Sequence, residues 1–363
     1  MLPAVTTPPH ARKTPPDMKA PQPRIPDVSL SAWADLYAVA ADVWSHKPWT
    51  DLDDTDLIGV HDPGTGSTGY ACFMGSAGQL NGLCLYRGDR GFNVYRRMVE
   101  GLDDPIEGEY WATQDCLKLA YGNKTELAPA DRQVIKHLGV LFKGRGAWPE
   151  FRSHRPGCYP WHLTEEEARF LTLGLRAGIH HFERYSKADI DRSVEDKQVL
   201  VYSPVDRAWR SFTDSWESWP SEEALPPALP VPLARIQGIR SKTAKPDSSW
   251  EADGFYVPVP IAHGDRPYYI RVALVCQRVS GHIFHFEMGE HDTPPHTLLG
   301  DAFLTSIEKS GFLPDKVYVK GPTESAVLSA IAGALGVGVV IDEFEALEEA
   351  KQEMVRALGG RKM

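Results

Sequence analysis

Long apolar runs are missing from this sequence. The uncharged apolar run at residues 325–341 is shorter than the roughly 20 residues that a membrane-spanning helix needs, and glycines interrupt it. The first 26 residues are rich in proline and lack the continuous apolar core of a secretory signal peptide. We therefore predict a cytoplasmic protein without a membrane partner.

Paired cysteines and an excess of basic residues are also missing. Five cysteines are scattered along 363 residues with no Cys-x-x-Cys pair, which is typical of reduced thiols rather than of a disulfide scaffold or a zinc finger. The formal net charge is −10, whereas proteins that bind nucleic acid or anionic membranes need basic patches. These properties argue against nucleic acid as a partner, and we predict no cofactor.

The residues that are present divide the chain into four segments. Residues 1–28 are rich in proline and poor in large apolar side chains, so we predict a disordered tail. Residues 29–187 predict an α+β domain, residues 188–266 an irregular β-containing connector, and residues 267–360 a small α/β domain. The sequence therefore predicts an α+β fold with two domains.

The first domain is predicted to combine an antiparallel sheet with helices. Three short strands, near residues 57–60, 70–74 and 80–86, are separated by glycine-rich links, which is the pattern of an antiparallel meander. Thr164 and Glu167 match a capping box at the start of a long helix, because each can bond the backbone N–H of the other.

The C-terminal domain is predicted to contain the element order ββαβαβα. This order indicates an open α/β sheet with an antiparallel hairpin at one side. It resembles the ribonuclease H-like topology, whose nucleases hold two metal ions with strand-borne carboxylates. Where that topology would place an aspartate, the first predicted strand offers Cys276 and Gln277. Glu287 and Asp342 remain as candidate carboxylates, although Asp342 also fits a helix cap.

Several segments resemble a family of bacterial two-domain proteins of unknown function. The matching stretches are PWTDLDDTDLIGVHDPGTGSTGYACFMG, GLCLYRGDRGFNVY and WPEFRSHRPGCYPWHLTEEEARFLTLGL, together with the later WEADGFYVPVP. The similarity extends over nearly everything after the proline-rich tail. It implies the fold and a bacterial origin, and it transfers no functional residue to this chain.

A basic turn is the first candidate site. Arg152, His154 and Arg155 lie between two aromatic-proline pairs and predict a site for an anion such as a phosphate or carboxylate. The alternative is that Arg152 and Arg155 form ion pairs with Glu150 or with residues 165–167.

A cluster of histidines and acids near residue 285 is the second candidate site. His285, Glu287 and His291 are ligand types that zinc or manganese accept, and His285 and Glu287 share one face of the predicted strand. The alternative interpretation is a set of polar residues at a strand end and in a loop.

The glycine-rich stretch 64–69 has the spacing of a dinucleotide-binding loop, but a strand follows it, so we predict a hairpin turn. No other constellation of acid, base and nucleophile is visible. The leading hypothesis is therefore a non-catalytic binding or accessory protein whose partner is a protein or a small anionic ligand. The alternatives are a metal-dependent hydrolase or nuclease built on the C-terminal sheet, and anion or nucleotide recognition at the basic turn.

Overall fold

The computed structural model describes residues 27–359 except for 54, 77, 79, 101–109, 186–195, 222–228, 242–247, 263, 291, 292 and 294. The described ranges form two mixed sheets flanked by helices, which confirms the predicted α+β class. The predicted proline-rich tail lies outside the described residues, apart from its last two positions.

The first sheet has seven strands in the order β5-β4-β3-β2-β1-β6-β7. β1 and β6 are parallel, and the other neighbours are antiparallel. The predicted meander is the centre of this sheet. The strands are β1 Leu57–His61, β2 Thr68–Met74, β3 Gly82–Arg87, β4 Cys116–Gly122, β5 Trp148–His154, β6 Gln198–Pro204 and β7 Phe212–Ser218.

Helices cover both faces of this sheet, because successive strand residues point to opposite sides. On β2, Phe73 faces the core shared with α1 and α5, whereas Tyr70 faces the core shared with α2. Thr164 and Glu167 form the predicted capping box at the start of α5. The helices are α1 Leu30–His46, α2 Gly88–Val99, the short α3 Tyr110–Thr113, α4 Pro129–Leu138 and α5 Glu165–Phe182.

The second sheet has five strands in the order β10-β9-β8-β11-β12. β8, β9 and β10 are antiparallel, and β11 and β12 run parallel to β8. The elements are α6 Leu233–Arg240, β8 Ser249–Ile261, β9 Tyr268–Gln277, β10 Ile283–Gly289, α7 Pro295–Ser310, β11 Lys316–Val319, α8 Pro322–Leu335, β12 Gly338–Ile341 and α9 Leu347–Gly359. α6, α7 and α8 share a core on one face, and α9 packs on the other.

The segment that we predicted as a connector is divided between the two sheets. β6 and β7 extend the first sheet beside β1, and β8 is the central strand of the second sheet. The second domain therefore begins one strand earlier than predicted. β8 was missed because Glu251 and Asp253 interrupt its apolar pattern, although both carboxylates are buried.

The segment after β5 connects the two domains. The backbone N–H of Tyr159 donates to the Pro267 carbonyl at 2.9 Å, and the N–H of Tyr269 donates to the Gly157 carbonyl at 2.8 Å. Arg266, which precedes β9, donates to the hydroxyl and the carbonyl of Ser153. The basic turn is therefore part of the contact between the domains.

Helix α5 approaches the first sheet closely at Gly178. A Cβ atom at this position would lie 2.5 Å from Cζ of Phe73, a ring that is 2% exposed and packed in the core. We expect Gly178→Ala to destabilise the protein by about 1–3 kcal/mol through overpacking. Gly333 in α8 has no atom within 4 Å of the same position, so Gly333→Ala should stabilise by about 0.5–1 kcal/mol. Urea denaturation measures the free energy of unfolding of both variants. Equal changes in Gly178→Ala and Gly333→Ala would contradict the prediction.

Candidate functional site

A cleft of about 590 Å³ lies at the β4–β5 end of the first sheet. Helix α1, the turn before β3, strand β4, the turn before α4 and the start of β5 contribute its walls. Its apolar part includes three aromatic rings, Trp44, Tyr121 and Trp148, together with aliphatic side chains such as Leu80 and Leu127. Its polar groups come from Asn81, Asn123, Glu126, Arg145 and Glu150.

The aromatic rings of the cleft are held in place by their neighbours. Trp44 and Tyr121 have ring centres 5.0 Å apart, and the Tyr121 hydroxyl donates to the Ala40 carbonyl. Trp148 packs edge-on against Phe142, with ring centres 5.7 Å apart. Because these contacts set the side-chain conformations, a ligand would meet walls that are already ordered, which reduces the entropy lost on binding.

The two carboxylates of the cleft have different environments. Glu126 accepts from the backbone N–H of Asn123 at 2.6 Å and from its side-chain amide at 3.0 Å, and these bonds lower the pKa of Glu126. Glu150 accepts from Arg152 at 2.6 Å, yet burial raises its pKa. Glu126 is therefore held as an anion, while Glu150 is shifted toward the neutral form.

The arginines of the predicted anion site contact carboxylates of the chain itself. Arg152 donates to both oxygens of Asp131, at 3.1 and 2.7 Å, as well as to Glu150. Arg155 donates to Glu167 at 2.8 Å. The ion pairs that we gave as the alternative are therefore present, with Asp131 as an additional partner. Recognition of an external anion by this turn stays a prediction.

His154 lies on the same strand face as Arg152 and, like it, is half-buried. Burial first, and the charges of Lys118, Arg266, Arg87 and Arg152 next, lower the pKa of His154 to about 3. Its imidazole is therefore neutral at physiological pH and adds no positive charge to the turn.

Glu167 is the shared acceptor of a hydrogen-bond network that was not predicted from the sequence. Besides Arg155, it accepts from Arg87 at 2.7 Å, from the Ser153 hydroxyl at 2.8 Å and from the Thr164 N–H at 3.0 Å. Burial alone would raise the pKa of Glu167, but the bonds from Thr164 and Arg155 and the charges of the two arginines lower it to about 2. The bond from the Thr164 N–H could be predicted from the sequence, because it belongs to the capping box. The bond from Arg87 could not be predicted, because Arg87 lies 80 residues away in the chain.

The predicted metal site is described only in part. Nε2 of His285 lies 3.5 Å from a Glu287 oxygen, which agrees with their predicted position on one face of β10. Nδ1 of His285 lies 3.0 Å from the ammonium of Lys309, and His291 lies outside the described residues. Within the described part of the chain, no group of three or more His, Cys, Asp or Glu residues is placed to hold a metal ion. The site stays a prediction.

The first strand of the second domain does carry an aspartate, contrary to our assignment of Cys276 and Gln277 to that place. Asp253 lies on β8, where it pairs with Lys351 and accepts from the Gly254 N–H at 2.9 Å. Glu251 on the same strand binds the backbone N–H groups at the start of α9. Both carboxylates thus have partners within the chain, and metal-dependent catalysis on this sheet stays a prediction.

The fold and the cleft define a two-domain α+β protein with a polar, aromatic-walled cavity in its first domain. Residues 33–202 match the family described as Domain of unknown function (DUF7309), and residues 235–355 match Domain of unknown function (DUF6930). No curated protein matches the chain. The chain thus combines two domains of unknown function, in agreement with the two-domain resemblance. Every helix in the described ranges is too short or too polar to cross a membrane.

Proposed function

We propose that this chain is a non-catalytic binding protein whose first domain holds a small hydroxylated ring, such as a sugar, in the cleft. The supporting observation is the combination of ordered aromatic walls with carboxylate and amide groups in a cavity of about 590 Å³. Ligand sites of soluble proteins typically combine apolar and aromatic walls with a few polar groups that orient the ligand.

The chemistry of the walls favours a ligand with one weakly polar face and a polar edge. The C–H face of a sugar ring packs against an indole ring such as Trp148, and its hydroxyls can donate to the carboxylate of Glu126. Arg145, which lies in the same cleft, can donate to a ring oxygen. The proposal requires no cofactor.

A bacterial origin and a cytoplasmic location are also part of this proposal. The five cysteines are buried and free, which supports a reducing compartment. The family resemblance supports the bacterial origin.

Trp148→Ala is expected to weaken sugar binding about fivefold or more, because an aromatic contact at the centre of a site typically contributes over about 1 kcal/mol. The probes are glucose and glucosamine, titrated by calorimetry against wild type and variant. Trp216→Ala is the matched control, since Trp216 lies on β7 of the same sheet and is 45% exposed. Absence of binding to both sugars, or an equal loss in the control, would contradict the proposal.

Two other outcomes would favour the alternatives. The protein could bind inorganic phosphate, with Arg152→Ala abolishing and Trp148→Ala preserving that binding. This result would show that the basic turn, rather than the cleft, is the binding site. Hydrolysis of a chromogenic glycoside that Glu150→Gln abolishes would show that the cleft is catalytic.

A further inference from the structure

Strand β10 is the outer strand of the second sheet, and it contains no lysine or proline and is not short. Outer strands present unpaired backbone N–H and C=O groups and are commonly blunted by lysine, proline or shortness. Among the described strands, β5 contains Pro149 and Arg152, β7 carries Asp214 and Glu217, and β12 has only 4 residues. β10 has 7 residues, IFHFEMG, without lysine or proline.

An irregularity in β10 places three apolar side chains on one face. The register with β9 shifts between Ile283 and His285, so that Ile283 lies opposite Cys276, Phe286 opposite Leu274 and Met288 opposite Val272. Their three partners on β9 are buried in the core shared with α9. Ile283, Phe286 and Met288 themselves are 40%, 44% and 55% exposed. α9 therefore covers β8 and β9, while the adjoining apolar row on β10 stays open.

The opposite face of β10 carries one hydrogen-bond donor and one acceptor, which can pair with the same two groups of a second copy. His285 and Glu287 flank Phe286 symmetrically, and both lie on the α7 side, where the Lys309 ammonium is 3.0 Å from His285. If a second β10 pairs antiparallel about a twofold axis at Phe286, His285 of each copy lies opposite Glu287 of the other. Each imidazole N–H can then donate to the opposing carboxylate, and no like charges face each other.

We infer that the chain forms a symmetric dimer through antiparallel pairing of β10 with β10 of a second copy, centred on Phe286. The pairing satisfies the outer backbone groups of both strands and joins the two second sheets into one continuous sheet. About this axis the two Phe286 side chains meet, and the apolar rows of the two copies join into one row beside the two α9 helices. A twofold arrangement requires a surface that is complementary to itself, and the apolar row and the His285–Glu287 pair provide one.

Light scattering coupled to size-exclusion chromatography tests the dimer on the full chain. We expect wild type at micromolar concentration to have twice the mass of one chain. Phe286→Glu should raise the dissociation constant at least about tenfold, because it places two carboxylates opposite each other across the axis. Ile341→Glu is the matched control, since Ile341 lies on the other edge strand, β12, and is 54% exposed. A monomeric wild type, or a dimer that persists in Phe286→Glu, would overturn the inference.

A charge exchange tests the register. Glu287→Lys alone should weaken the dimer, because a lysine would then face the His285 side of the other copy. His285→Glu combined with Glu287→Lys should restore it, since the exchanged pair is complementary about the same axis. Disruption by the single variant without restoration by the double variant would overturn the inference. Circular dichroism and thermal midpoints of all variants separate loss of the dimer from loss of the fold.

Discussion

Glu167→Ala is expected to destabilise the protein by about 3–5 kcal/mol, because the buried carboxylate is the shared acceptor of two arginines and removing one member of a buried ion-pair network is strongly destabilising. Glu167 is 7% exposed and accepts from Arg87, Ser153, Arg155 and Thr164. Its loss leaves the Arg87 guanidinium with Asp115 as its remaining carboxylate partner in the described structure, and it removes half of the α5 capping box. Urea denaturation measures the change in the free energy of unfolding.

Glu166→Ala is the matched control, since Glu166 occupies the same helical turn but is exposed. It should change the free energy of unfolding by less than about 0.5 kcal/mol. A similar loss in both variants would show that the effect comes from the charge of the first turn rather than from the buried network.

The dependence of stability on pH gives an independent measurement of the contribution of Glu167 to the free energy of unfolding. The pKa of Glu167 is lowered from 4.5 to about 2 in the folded state, so the unfolded state binds more protons between these values. The stabilisation is thus present above about pH 4.5 and is lost as the pH falls toward 2, which corresponds to about 3 kcal/mol. The difference in stability between wild type and Glu167→Ala should narrow over this range. If the difference in stability stayed constant from pH 4.5 to pH 2, the ionised Glu167 would not stabilise the fold and the prediction would be wrong.

Glu251→Ala is expected to cost about 3–5 kcal/mol in the second domain. Glu251 is 0% exposed, and its carboxylate accepts from the backbone N–H groups of Glu345, Ala346 and Leu347 at 2.6, 3.0 and 2.8 Å. These donors lie at the start of α9, where the positive end of the helix dipole favours a carboxylate. Arg278, 3.6 Å from Glu251, would also lose a partner.

Glu251→Ala should also loosen the start of α9, in addition to lowering the free energy of unfolding. In Glu251→Ala the amides of residues 345–347 should exchange with solvent faster, because their acceptor is gone. Glu343→Ala is the control, since Glu343 is exposed and precedes the same helix. Unchanged amide exchange in Glu251→Ala, or an equal effect in Glu343→Ala, would contradict the role of Glu251 as the cap of α9.

Part of the candidate site could be predicted because its signals are local. Thr164 and Glu167 form the predicted capping box, and Arg152 and Arg155 pair with acids of the predicted neighbourhood. The place of Trp148 beside Trp44 and Tyr121 in one cleft was not predicted. These three rings come from α1, β4 and β5, and their proximity depends on the packing of α1 on the sheet.

The second sheet shows the same division between local and tertiary information. The hairpin of β9 and β10 and the helices that follow were predicted from local patterns, whereas β8 was assigned to a connector. Its polar residues have buried partners that lie far along the chain: Lys351 for Asp253, and the start of α9 for Glu251. When the partners of a strand's carboxylates lie far along the chain, the sequence of the strand alone predicts a loop.

The sequence by itself determined the start of α5, the meander, the free thiols and the two-domain class, because each depends on residues within a few positions of one another or on composition. The tertiary structure decided which strand lies at the centre of the second sheet and which is left at its edge. It also decided which carboxylates are buried and which aromatic rings share a cleft. These properties depend on contacts between distant segments, and a carboxylate such as Glu251 becomes a structural cap only when the chain brings three N–H groups to it.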